Sequence, residues 1–389
     1  MKKIIMAFSF TMLGVAAMGQ ETYDNAQLAS KDLNGTARYV GMGGAMEALG
    51  ADISTMSSNP AGIGLFRRSM MSGSFGFNSQ SDAADIGKRK TKASFDHAGF
   101  VHIMRSGRNS YVNFGVSYTK SRNFNQILTA TGRLNGASQN KLSSMKNYND
   151  LYRLEKRNGE LTSQWGTNNN PDLPYNQVDY LYSNALLNDK NSQLVGMNAN
   201  GYNGGNYLGD ASGVLDASGN LRAAYYNADG YDFFRGTSGY IGEYNFNISG
   251  NSRNRFYWGL TFGLYDVNYS HASEYTERLV NNAQNPIGSV TIADERTISG
   301  TGFDIKAGVI FRPIEDSPFR VGLYVHTPTW YDLKTENRTT LVSKLADGCG
   351  NGNKSTSGRY DYKFYTPWRF GGSLGYTVGK HLALGATYE

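Results

Sequence analysis

The sequence predicts an all-β chain, a transmembrane antiparallel β-barrel with an N-terminal plug. Three observations predict it: strands in which bulky apolar residues alternate with small polar ones, connections that alternate between short and long, and an export signal at the N-terminus. Composition agrees. Among 389 residues, 47 Gly, 27 Tyr and 19 Phe stand against only 8 Pro, a balance that suits strands and turns better than helices. A mean hydropathy of −0.48 is no obstacle. A barrel strand alternates apolar and polar residues, so its average stays low even in lipid.

The N-terminus comes first. Lys2 and Lys3 precede an apolar run from Ile4 to Ala17, and Ala17-Met18-Gly19 supplies small residues at cleavage spacing. Residues 1–19 therefore read as a secretory signal peptide cut near Gln20. The run is interrupted by Ser9 and Thr11 and is shorter than the roughly 20 apolar residues of a spanning helix. No later run could span as a helix either.

The strands follow. In Ser110–Thr119, Val112, Phe114, Val116 and Tyr118 share one face, opposite Asn113, Gly115, Ser117 and Thr119. Phe256, Trp258, Leu260, Phe262 and Leu264 alternate with Tyr257, Gly259, Thr261, Gly263 and Tyr265. Phe303, Ile305, Ala307, Val309 and Phe311 do so with Gly302, Asp304, Lys306 and Gly308. Trp368 to Val378 and Leu382 to Tyr388 repeat the pattern. A soluble sandwich alternates too, but its outward face carries charge. Here the second face is mostly Gly, Ser, Thr and Asn, which suits a barrel interior, while the bulky face suits lipid. Closure into a barrel follows, because hydrocarbon offers no partner for a free backbone group.

Nine strands are expected, near 69–79, 93–105, 110–121, 236–249, 254–270, 300–311, 319–331, 359–378 and 381–389. Short connections at 106–109, 250–253, 312–318 and 379–380 alternate with long ones at 80–92, 122–235, 271–299 and 332–358, as periplasmic turns alternate with extracellular loops. The 122–235 segment holds 20 of the 37 Asn and reads as an exposed extracellular lobe. Residues 69–389 are thus assigned to the barrel. Nine is odd and the chain stops inside a strand, so the expectation is a C-terminally incomplete barrel.

Residues 20–68 do not read as a strand. Gly41-Met42-Gly43 lacks the third glycine and the preceding strand of a nucleotide loop. A short helix over Ala45–Ala51, stopped by Gly50, is expected instead, followed by an Asn59-Pro60 turn. Such a segment could sit inside the barrel as a plug.

At these residues the chain resembles a known family. Gly35-Thr36-Ala37-Arg38, Gly41-Met42-Gly43-Gly44-Ala45 and Asn59-Pro60-Ala61 are similar to the N-terminal hatch of FadL/TodX-type outer-membrane transporters. Gly302-Phe303 through Arg312-Pro313, Thr327-Pro328 and Pro367-Trp368-Arg369-Phe370 are similar to that family's strands and turns. The resemblance implies 14 strands, a cell outer-membrane location, and uptake of long-chain fatty acids, aromatic hydrocarbons or similar hydrophobic small molecules. Some relatives carry a haemin-receptor label. The implied partners are the hydrophobic ligand, outer-membrane lipid and the barrel-assembly machinery, with a surface lipoprotein left open.

The residues themselves leave the site open between two readings. Asn59 and Pro60 form either a gating pivot or a structural turn. Arg38 in the hatch and Lys306 and Arg369 on polar strand faces could hold a ligand carboxylate. Alternatively, Asp304 pairs with lumen and plug cations. Against other classes, one cysteine, Cys349, permits no internal disulfide or Cys-based metal site. His97 and His102 face opposite sides of one strand, and the remaining histidines are scattered. No G-x-S-x-G or H-E-x-x-H occurs, so neither enzyme activity nor a cofactor is expected. A net charge of +6 with only the short Lys88-Arg89-Lys90 cluster speaks against nucleic acid. A haemin or porphyrin receptor, a general porin and a surface adhesin on a barrel scaffold stand as alternatives.

Overall fold

The computed structural model describes residues 25–389 apart from 84, 86–88, 108, 136, 140, 281–282, 315–316, 346–351 and 380; between 143 and 226 it describes only the backbone of six short strands. Residues 1–19, Cys349 and most of the 122–235 lobe lie outside the described residues.

The alternating segments form the strands they predict. They are β1 (Met70–Ser79), β2 (Thr91–Arg105), β3 (Tyr111–Asn123) and β4 (Gln126–Arg133). Three hairpins follow within the lobe: β5 (Tyr152–Arg157) with β6 (Glu160–Trp165), β7 (Met197–Asn198) with β8 (Gly201–Tyr202), and β9 (Ser212–Leu215) with β10 (Leu221–Tyr225). Then come β11 (Asn227–Ser252), β12 (Phe256–Val280), β13 (Pro286–Phe311), β14 (Arg320–His326), β15 (Trp330–Leu345), β16 (Gly352–Tyr365), β17 (Arg369–Val378) and β18 (Leu382–Tyr388). Outside the lobe hairpins they make one 12-stranded antiparallel sheet running from β1 at one edge to β18 at the other.

Several of these strands are halves of one wall strand. Both β3 and β4 pair with β11, and both β14 and β15 pair with β13, while β16 and β17 continue each other alongside. The wall therefore has nine courses, as the alternation predicts. One of the three breaks falls at Phe124-Asn125, and the other two at Pro328 and Pro367, which have no N–H to give a ladder. Threonines bridge the gap: Ile305 N donates to Thr327 Oγ1 at 3.0 Å, and Thr329 N to Thr366 Oγ1 at 2.8 Å.

The two faces separate by parity. Val116, Phe246, Phe262 and Ile305 stand side by side across four strands, and each is 41–50% exposed. On β12 this apolar band runs from Phe256 to Leu264 and gives way outward to Asp266, Asn268 and Ser270. Those nine residues span about 30 Å at ~3.4 Å each, and tilting brings them close to the ~25 Å band of a lipid-facing wall. The other face buries Asn113, Ser117, Thr119, Asn245, Asn247 and Thr261.

Strand ends differ from the expected bounds. β12 and β13 pair from Phe256↔Phe311 to Val280↔Pro286, and β15 pairs with β16 from Trp330↔Tyr365 to Ser343↔Gly352. Most of 271–299 and 332–358 is therefore strand, and β4 and the start of β11 fall inside 122–235. Beyond the band the outward residues turn polar while inward ones such as Val267, Tyr269 and Ile298 are apolar, so the bulky-outside pattern ends while the backbone ladder continues.

The N-terminal segment packs inside the sheet. Gly35 O accepts from Ser74 Oγ of β1 at 2.7 Å, Ile63 O accepts from Asn113 Nδ2 of β3 at 2.6 Å, and Ser57 Oγ accepts from Asn245 Nδ2 of β11 at 3.0 Å. Arg320 of β14 donates to Leu49 O at 2.5 Å, and Thr387 of β18 donates to Glu47 at 2.5 Å. Ile53 lies against Gly99 of β2, Pro60 against Gly259 of β12, Asn59 against Gly308 of β13 and Leu49 against Gly375 of β17. Nine flat strands would measure about 38 Å across. One compact segment reaches both edges because the sheet curls around it as a barrel wall.

The helix expected over 45–51 does not form there. One helix spans Ala37–Gly41, with Thr36 as N-cap, and residues 25–29 are also helical, whereas 45–51 are turn and irregular chain. Gly43, Gly44, Gly50 and Ala51 all have positive φ, so left-handed residues close in 45–49 from both sides and leave no room for a helix. No described helix is long and apolar enough to cross a membrane.

Candidate functional site

The N-terminal segment meets the wall at a buried four-charge cluster. Lys306 Nζ, which is fully buried, lies 2.6 Å from Asp304 Oδ1 and 3.1 Å from Glu243 Oε1. Lys31, from the segment, lies 3.1 Å from Glu243 Oε2 and donates to Tyr265 Oη at 3.0 Å. Tyr265 in turn donates to Asp304 Oδ2 at 2.7 Å, and Lys306 also donates to Asn245 Oδ1 at 3.2 Å. Both ammonium groups sit over the Tyr265 ring, 5.1 and 5.4 Å from its centre. Two cations and two carboxylates cancel. A cluster so compensated is one way to keep charge in a low-dielectric interior, and removing a single member strands the rest.

The sequence-predicted residues fall into separate places. Asp304 and Lys306 are inward, as parity required, and are bonded to each other. Arg38 is held within the segment: its Nε lies 3.0 Å from Asp52 Oδ2, and it also donates to the Ala51 carbonyl. Asp52 caps Ser54 N at 3.0 Å and accepts from Thr36 Oγ1. Arg369 of β17 is in register with Lys306 through His326 of β14, but it pairs with Glu389 beyond β18. Asn59 and Pro60 are buried. Asn59 Oδ1 accepts from Ala61 N at 3.1 Å, and its Nδ2 donates to Glu47 O at 3.0 Å, so the turn is held from both sides. Also in the segment, burial and the nearby Glu47 carboxylate push the Tyr39 phenol well above its ordinary pKa.

Lys31 and Glu243 are the members that sequence reasoning missed. Glu243 shares parity with Asn245 and Asn247, so its inward position was readable. Lys31 sits in irregular chain and carries no such signal. The histidines are dispersed: His97 Nδ1 bonds Thr119 Oγ1 at 3.0 Å, and His326 Nε2 bonds Ser58 O at 2.5 Å. Among the described residues no three His, Cys, Asp or Glu side chains gather as a metal site.

Past the charge cluster, away from the short turns, the interior turns apolar. Ile241, Val267, Ile298 and Leu333 pack with Tyr265, Tyr269, Tyr331, Phe124 and Leu28, flanked by Tyr362 and Phe364. This apolar patch adjoins a cavity of about 410 Å³ with which it shares Phe124 and Tyr269, while Gln27, Asn78, Gln80, Arg122, Asn125 and Arg235 make most of the lining polar.

The chain matches no family model and no curated protein. Among solved structures it is similar to the Ralstonia pickettii toluene transporter TbuX, with 91% of this chain and 92% of that one covered at 10% identity and a TM-score of 0.19. At that score the likeness carries no argument about fold or function.

Proposed function

We propose that this chain is an outer-membrane channel for hydrophobic small molecules, of the long-chain fatty acid or aromatic hydrocarbon type, in which the N-terminal segment is a plug that gates passage. One observation carries the reading: a single segment bonded or packed to all nine wall strands, inside a wall whose outer face is a level apolar band. An open diffusion pore would have no use for such a segment. A hydrophobic solute faces both a polysaccharide leaflet and water-filled pores that disfavour it. An apolar inner patch above a closed plug offers it a place to bind before release. Release requires that the ligand bind one plug state better than the other. The Lys31 contacts and the Asn59-Pro60 turn are the groups such a movement would have to break.

The test is mass spectrometry of the full-length protein and its lipid extract, purified from its native membrane. A stoichiometric apolar ligand supports the reading, and a ligand-free protein that supports no hydrophobic uptake sinks it. The polar walls of the cavity favour a second reading, passage of a polar solute. That reading predicts sustained ion conductance, which a plugged channel lacks.

A further inference from the structure

The chain's positive charge is concentrated at one end of the wall. The short connections at 66–69, 105–110, 252–256, 312–320 and 378–381 all lie at the same end, because Met70 pairs with Val101, Tyr111 with Asn251 and Phe256 with Phe311. The described residues of these stretches hold seven Arg and no acidic residue, a net of +7, whereas the whole chain carries +6. Everything else is therefore close to neutral. All seven carry the planar guanidinium fork that matches phosphate.

These arginines sit at the margin of the apolar band. Arg255 and Arg312 each adjoin the last outward pair, Phe256 and Phe311, and Arg105 follows exposed Met104. They also tie the turns to one another. Arg67 donates to Asn254 Oδ1 at 2.6 Å and lies 4.8 Å over the Tyr111 ring; Arg312 donates to Asn254 O at 3.2 Å and Arg255 to Pro313 O at 3.3 Å. The turns thus form a collar, with Arg68, Arg105 and Arg253 exposed on it.

We propose that this collar docks the anionic phospholipid headgroups of the leaflet bordering the short-turn end, gripping their phosphates with the exposed guanidinium groups. The inference rests on the membrane location proposed above. Charge complementarity supports it, and so does continuity with the apolar band, which sets the guanidinium groups at headgroup depth.

The experiment reconstitutes the full-length chain in phosphatidylcholine vesicles with and without a minority of phosphatidylglycerol. Native mass spectrometry then counts the lipids retained by the protein. We expect phosphatidylglycerol enriched at least about two-fold over its share of the vesicle, and enrichment lost in an R68Q/R105Q/R253Q variant. Enrichment should survive in an R359Q/K363Q variant, whose changes lie past the opposite margin of the apolar band, level with Ser270 and Asp266. Equal retention of the two lipids by an inserted protein would overturn the proposal, as would an equal loss in both variants. Selective capture of an acidic soluble protein without lipid enrichment would overturn it too. Failure to insert into either vesicle would instead defeat the membrane reading itself.

Discussion

Replacing Gly259 with valine should loosen the N-terminal segment while leaving the wall intact. A Cβ at this position would sit 2.3 Å from the carbonyl carbon of Pro60, 2.4 Å from its oxygen and 2.6 Å from Ala61 N. All three are backbone atoms, which cannot rotate away. Ordinary contact begins near 3.4 Å, so the Pro60 turn must retreat by about 1 Å. The Asn59 bonds to Ala61 N and Glu47 O, now 3.1 and 3.0 Å, would then exceed hydrogen-bonding distance. Overpacking costs about 1–3 kcal/mol and two lost hydrogen bonds about 1–3 kcal/mol more, together ~2–6 kcal/mol. Even the lower figure raises the population of the locally open state about 30-fold. Hydrogen exchange followed by mass spectrometry on peptides covering 45–66 reads this directly. The control is Gly372→Ala on β17, where the nearest atom to a new Cβ is 3.7 Å away. Unchanged exchange over 45–66 in Gly259→Val, in a protein that still folds, would refute the close packing of segment against wall.

Three further outcomes follow from the same contacts. Lys306→Met should destabilise the protein by about 3–5 kcal/mol, since it leaves Asp304 and part of Glu243 buried without their cation; the measurement is the denaturant midpoint, and a change under about 1 kcal/mol contradicts it. Asn59→Ala should cost about 1–2 kcal/mol through the lost cap, read as faster exchange over 60–65, with equal exchange as the contrary result. Leu260→Arg, in the outward band, should cost about 2–4 kcal/mol of membrane stability, and Ser270→Arg, beyond it, about 0–1 kcal/mol; equal costs would remove the band's boundary at Asp266.

Parity along the strands made much of this fold legible. Phe262 out and Thr261 in can be read without coordinates, and so can the inward placement of Asp304 and Lys306. Other features depend on partners distant in sequence. Gly259 and Gly308 read only as small residues on the polar face, yet the first leaves room for the Pro60-Ala61 backbone and the second for the Asn59 side chain. The extensions of β12 and β13 past Asp266 escape notice because the outward face turns polar there, so the bulky-outside alternation no longer marks them. Lys31 is invisible for a related reason, since an irregular segment has no period to place it opposite Glu243. No helix forms over 45–51 because the positive φ values of Gly44, Gly50 and Ala51 go with contacts to Leu33, Leu65 and Gly62, which a window of helix-forming residues does not reveal.

The central claim is that the N-terminal segment closes the interior of a membrane-spanning wall. Single-channel recording of the full-length protein in planar bilayers tests it most directly, alongside the Gly259→Val variant. The claim predicts a protein that inserts yet conducts almost no ions, and a variant whose openings are longer and more frequent. A steady open conductance from the unaltered protein, unchanged in the variant, would contradict it.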